Sequence, residues 1–204
     1  MPGSRRLAFA LAACLCVGAG FAPAVHAQAN GVLGIYFDDR ASNCSNTFAV
    51  GTSRTLYVLL LAEGDTRGGV SGLEFSIDAS AATGYNFSGE TVTLPNGFGV
   101  GGPAVGDGLN IVSTRGCESR LPLPVMRLQV TNLSGSRDGV VEIAAKSPPS
   151  NYNFACPLVT LCDSPAFTKV CIAPDRAVLN PSGALRCGVA SEKSDWGRVK
   201  ELYR

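Results

Sequence analysis

Cysteines are the residues here whose type and spacing could do chemistry. Cys156, Cys162, Cys171 and Cys187 crowd the last third of the chain, with Cys44 and Cys117 well ahead of them. Thiols in such number bind a metal, act as nucleophiles or pair as disulfides. The last four are separated by five, eight and fifteen residues. Those spacings lack the C-x2-C knuckle of structural zinc sites, so no metal site is expected. Nucleophilic catalysis by serine or cysteine needs a base, usually histidine. The one histidine, His26, lies in an N-terminal segment expected to be cut away, which removes Ser-His-Asp and Cys-His arrangements from the remainder. Glycoside hydrolysis needs only two carboxylates. Asp38, Asp39, Glu74 and Glu142 lie on or beside the clearest strands, but no pair is set apart by its surroundings. Glu74 and Glu142 sit on the polar phase of alternating strands, where a solvated position is expected. Asp38, Asp39, Asp65 and Asp107 offer oxygen ligands for calcium, yet no EF-hand or nonapeptide repeat frames them. Neither a catalytic residue nor a cofactor is expected, and the chain reads as a non-enzyme.

The compartment decides what the cysteines do. Arg5 and Arg6 precede an apolar run over residues 7–24, which closes on Val25-His26-Ala27. That is the pattern of a secretory signal over residues 1–27, cleaved before Gln28. Two alternatives stand beside it: an uncleaved membrane anchor, and a lipoprotein signal read from Leu11-Ala12-Ala13-Cys14. No later segment approaches a membrane-spanning length, so the mature chain is expected in the periplasm, outside the cell or at its surface. In an oxidising compartment an even set of six cysteines is expected to pair fully, in one of fifteen connectivities that the sequence does not choose among. Without Arg5 and Arg6 the 17 basic residues fall to 15 against 16 acidic, a net charge near −1. Charges scattered singly at that balance leave no footprint for nucleic acid.

The elements that position these residues read as short strands. Leu73, Phe75 and Ile77 alternate with Glu74, Ser76 and Asp78, and Met126, Leu128 and Val130 alternate with Arg127, Gln129 and Thr131. Val141, Ile143 and Ala145 repeat the pattern around Glu142. Residues 31–37 and 55–62 are more continuously apolar, as strands covered on both faces are. Shorter strands are expected near residues 85–87, 90–94, 109–113 and 167–172. Turn clusters punctuate them at residues 63–69, 95–97, 106–108 and 134–136. About eight strands without a long helical period predict an all-β, two-sheet antiparallel β-sandwich of jelly-roll type over residues 28–175.

The order of segments carries a resemblance. Residues 31–38, the apolar strand 55–62 and then Val70-Ser71-Gly72-Leu73-Glu74-Phe75-Ser76-Ile77 resemble the opening of a cohesin-type sandwich. Strands over 125–131 and 140–145 fit the same order. The resemblance spans about residues 31–173, and it implies a partner-binding β-sandwich. The cysteine-rich stretch after Ser147, in which residues 154–163 are expected to form a loop, departs from that group, and the whole chain is also similar to uncharacterised secreted bacterial proteins with a segment like Cys156-Pro157-Leu158.

Residues 176–204 are expected to form a cysteine-containing linker and tail. From Asp195 a short helix would align Trp196, Val199 and Tyr203, making Trp196 the anchor of a docking or surface-retention tail. Two functions are expected: a secreted, non-catalytic interaction or structural domain, or a carbohydrate-binding module on the same architecture. Sugar binding would use exposed rings. The candidates are Tyr36, Tyr57, Tyr85, Phe87, Phe98 and Tyr152, of which Tyr36 and Tyr57 are expected in the core. Phe98, in the glycine-rich loop 96–102, and Tyr152, after Pro148-Pro149, are the expected exposed pair. The implied partners are an extracellular protein or a polysaccharide.

Overall fold

The computed structural model describes residues 30–163 and 165–183. The signal segment, Trp196, Cys187 and the expected tail helix lie outside the described residues. Among the described residues thirteen strands run in chain order. They are β1 (Gly31–Tyr36), β2 (Ser45–Asn46), β3 (Ser53–Ala62), β4 (Val70–Asp78), β5 (Tyr85–Val92), β6 (Gly97–Gly101), β7 (Leu109–Ser113), β8 (Leu123–Asn132), β9 (Gly139–Ala144), β10 (Leu158–Leu161), β11 (Lys169–Cys171), β12 (Ala173–Pro174) and β13 (Arg176–Leu179).

One sheet has the order β12-β1-β3-β8-β5; the other follows β11-β10-β4-β9-β13-β2, with β7 also pairing β4 and β6 beyond β7. β4 is the axis of the second sheet. Glu74 is paired with Asn110 of β7 on one side and Leu158 of β10 on the other, and Ile77 then pairs Ile143 of β9. Leu73, Phe75 and Ile77 turn inward as the alternation predicts. They join Leu33, Ile35, Leu56, Val58, Leu60, Leu128 and Val130 of the opposite sheet in one buried core. This is a two-sheet β-sandwich, the expected fold class.

Three readings need correction. The sheets are not wholly antiparallel, because β1 pairs β12 and β13 pairs β2 in parallel. Residues 154–163 do not form a plain loop. Leu158, Val159 and Leu161 are buried, and β10 sits between β4 and β11, so its continuous apolar run is that of an interior strand. The sandwich does not stop at residue 175. β13 pairs β9, and Ala177, Val178 and Leu179 are fully buried. Its Arg-Ala-Val-Leu run is too short and too apolar to show alternation.

Asp175 marks the point where the chain changes sheets. Its N–H donates to Leu33 O at 2.9 Å in the first sheet, and its carbonyl accepts from Ile143 N at 3.1 Å in the second. The Tyr36 hydroxyl lies 3.4 Å from the buried Asp175 carboxylate. Burial, then the charge of Asp175, pushes the Tyr36 phenol well above its usual range. Gly34 makes room for that ring, since a Cβ there would stand 2.6 Å from the Tyr36 hydroxyl.

Candidate interaction surface

Strand pairing sets which side chains share the outer face of the second sheet. Phe98 stands opposite Val112, Val112 opposite Gly72, Gly72 opposite Thr160, and Thr160 opposite Lys169. The next row runs Val100, Asn110, Glu74, Leu158. Successive residues of a strand point to opposite faces, so both rows face away from the Leu73–Phe75–Ile77 core. β6 can hold Phe98 and Val100 outward because Gly97, Gly99 and Gly101 occupy the inward positions. A Cβ on Gly99 would meet Leu109 at 3.1 Å and Val92 at 3.4 Å.

The outward side chains are unusually apolar. Phe98 is 48%, Val100 51% and Val112 42% exposed, with Phe167 at 52% and Tyr152 at 84%. Surface-facing strand positions are ordinarily polar, and a contiguous stripe of this kind marks a contact site. Beside it lies a cleft of about 420 Å³, lined by Gly72, Glu74, Asn110, Val112, Thr160, Phe167 and Lys169 among others. The side-chain oxygen of Asn110 is buried there without a hydrogen-bond partner.

Glu74 departs from expectation. It lies on the polar phase, yet only 6% of it is exposed, because the segment after Ser147 folds across it. Ser150 N donates to the Glu74 carboxylate at 2.7 Å, and the Ser150 hydroxyl bonds the same group. Lys169 Nζ donates to Ser150 Oγ at 3.0 Å. The carboxylate therefore holds down the loop that presents Tyr152. Replacing Glu74 by alanine would strand the Ser150 N–H and free this loop. A local loss of about 1–3 kcal/mol is expected, read as faster exchange of the Ser150 amide. Glu142 is exposed, as expected.

Phe167 is presented by a second polar clasp. Asp163 accepts from Thr168 N at 2.7 Å and from the Thr168 hydroxyl, while Phe167 takes a left-handed backbone, φ 46°. These donors hold the Asp163 carboxyl below the usual range. Asp78 is lowered by Ser80 in the same way. At Asp38 burial pushes upward but is outweighed by the Ser42 and Arg40 donors. Each carboxyl titrates lower folded than unfolded. Their stabilisation is complete above the unfolded value of about 4 and is lost as pH falls through the folded values. Thermal stability should therefore drop below about pH 4, and the Thr168 amide should lose exchange protection in that window.

Two disulfides brace this sheet: Cys117–Cys162 and Cys156–Cys171. Cys44 is disulfide-bonded as well. Among the described residues no group of three or more His, Cys, Asp or Glu side chains could hold a metal. Within the same residues no helix is long and apolar enough to cross a membrane.

Of the sequence candidates, Phe98 and Tyr152 are both exposed, but Phe98 lies on a strand and not in the expected loop. Tyr36 is buried and Tyr57 half-buried. Val100, Val112 and Phe167 were not foreseen. The signal was present in Leu109-Asn110-Ile111-Val112-Ser113, where an apolar residue takes the outward phase.

The fold and site define a disulfide-braced β-sandwich with an apolar outer sheet face. Among solved structures the chain is similar to a cohesin module from a Clostridium perfringens family 33 glycoside hydrolase. Identity is 13%, with 76% of this chain and 99% of that one covered, at a TM-score of 0.48. The third ScaB cohesin of R. flavefaciens, solved with a group 1 dockerin, is similar at 15% identity, 76% and 98% coverage and a TM-score of 0.48. The sixth cohesin of the Acetivibrio cellulolyticus scaffoldin B, solved with a Cel5 dockerin mutant, gives 14%, 75% and 99%, also at 0.48. No protein-family profile and no curated protein matches the chain.

Proposed function

We propose that this chain is an exported, non-catalytic interaction domain that docks an extracellular protein on the outer face of the β6-β7-β4-β10-β11 sheet. The observation that carries the reading is the outward stripe of Phe98, Val100 and Val112, flanked by Phe167 and Tyr152. Apolar residues at the centre with polar groups at the margin are the anatomy of a docking site. Asn110, Thr160 and Lys169 would supply that margin.

Export rests on the basic, apolar and small-residue order of residues 1–27, with maturation before Gln28. Cys187 is the remaining cysteine for Cys44, which would make three disulfides. Intact mass before and after reduction tests both. A chain beginning at Gln28 that gains about six hydrogens on reduction is expected. A lipid-modified chain beginning at Cys14, or any stoichiometric free thiol, would overturn this part. A polysaccharide panel tests the site chemistry: no retention in affinity gels is expected. Retention lost on Phe98→Ala would instead make the face a sugar platform.

A further inference from the structure

The ends of the two sheets are not equally protected against pairing with another chain. Exposed edges ordinarily carry a charge, a proline, a bulge or a very short strand. β12 has two residues and ends on Pro174, and β2 has two residues. β11 has three residues, carries Lys169 and is tied down through Cys171. β5 breaks its register between Ser88 and Thr91, around Gly89 and Glu90. Among the described residues β6 alone has five residues, no proline, no charge and an unbroken register against a single neighbour, β7. No charged residue occurs anywhere over residues 91–106.

The hydrogen-bond phase of β6 shows what this edge presents. Thr114 N donates to Asn96 O at 3.0 Å, which makes that opposed pair a bonded one. Bonded and non-bonded pairs alternate in an antiparallel ladder. Phe98 and Val100 therefore turn their backbone groups to β7, and Gly97, Gly99 and Gly101 turn theirs outward. Among the described residues only the Gly97 N–H is already committed, to Leu94 O at 2.8 Å.

We propose that β6 is a self-pairing edge at which two copies of this chain join antiparallel about a two-fold axis through Gly99. The sequence Gly-Phe-Gly-Val-Gly is nearly symmetric about that residue, as an isologous contact requires. Gly99 exchanges both backbone bonds with Gly99 of the second copy, and each Gly101 N–H reaches the Gly97 carbonyl of the other. Phe98 then stands opposite Val100 of the second copy on the outer face, where each covers apolar surface that is open in one copy. On the inner side the incoming strand brings only glycines toward the gap between β6 and β5, which is lined by Glu90, Thr91, Val92, Gly99 and Gly101 among others, the Glu90 carboxylate being held by Ala104 N and Val105 N. β6 itself carries no charge, so the two paired strands set no like charges directly opposite each other. The contact draws on Phe98 and Val100 of the proposed docking face, but it is read on the chain alone, so either reading can fail without the other.

Sedimentation of the purified, oxidised chain into the hundreds of micromolar tests this. A concentration-dependent species of twice the monomer mass is expected. Val100→Lys should weaken it about tenfold or more at an unchanged melting temperature. An equal mixture of Phe98→Cys and Val100→Cys chains should cross-link as the mixed dimer faster than either chain with itself. A monomer at every concentration would overturn the proposal. So would a dimer unaffected by Val100→Lys, or cross-linking without preference for the mixed pair.

Discussion

Replacing Cys117 and Cys162 together by serine is expected to lower the unfolding free energy by about 4 kcal/mol, because their bond closes a span of 45 residues. The Cys156–Cys171 bond spans 15 residues and should be worth about 3 kcal/mol. The larger loss falls where the chain has least else to hold it. Residues 114–122 lie between β7 and β8, and their main backbone tie to the sheet is the mutual pair between Val70 and Glu118, at 2.9 and 3.0 Å. The disulfide adds the link to Cys162, directly after β10. Gly69 lies against it in a left-handed backbone, φ 110°, and a Cβ there would crowd Cys117 at 3.1 Å and Cys162 at 3.3 Å. Denaturant unfolding of the double variant measures the effect. A loss under about 1 kcal/mol would mean that the loop is held by other contacts.

Phe75→Ala is the second large effect, expected at about 3–5 kcal/mol. Phe75 is fully buried at the middle of β4, the strand that pairs with β7, β9 and β10. Removing its ring leaves a cavity between two sheets whose backbones are fixed by those ladders, so the site collapses poorly. The same denaturant titration reads it. A loss near that of an exposed substitution, under about 0.5 kcal/mol, would contradict the inward phase of β4.

That phase was legible in the sequence, as were the long strands. Leu73, Phe75 and Ile77 announce their face by alternation, and β3 and β8 follow the apolar segments over 55–62 and 125–131 to within two residues. What escaped the sequence depended on partners distant along the chain. Glu74 occupies a polar-phase position and is buried only because Ser150, 76 residues later, folds over it. β10 and β13 are too short for periodicity, and their place is fixed by β4 and β9, which lie far upstream. β6 was hidden by its own composition. Three glycines in five residues look like a loop, yet they are the inward half of a strand that must pass close to Leu109 and Val92. The apolar stripe was legible in principle, since Phe98, Val100 and Val112 all sit at outward positions once β6 is recognised as a strand.

Photocross-linking in the native host tests the docking face most directly, with a benzophenone amino acid at Val112 and, as control, at Leu133. Both positions are exposed, and Leu133 lies beyond β8 in the other sheet. The account predicts a discrete adduct between the Val112 variant and a different extracellular protein, with none from the Leu133 variant. Adducts of equal yield from both positions, or none from Val112 while the chain is exported and folded, would contradict it.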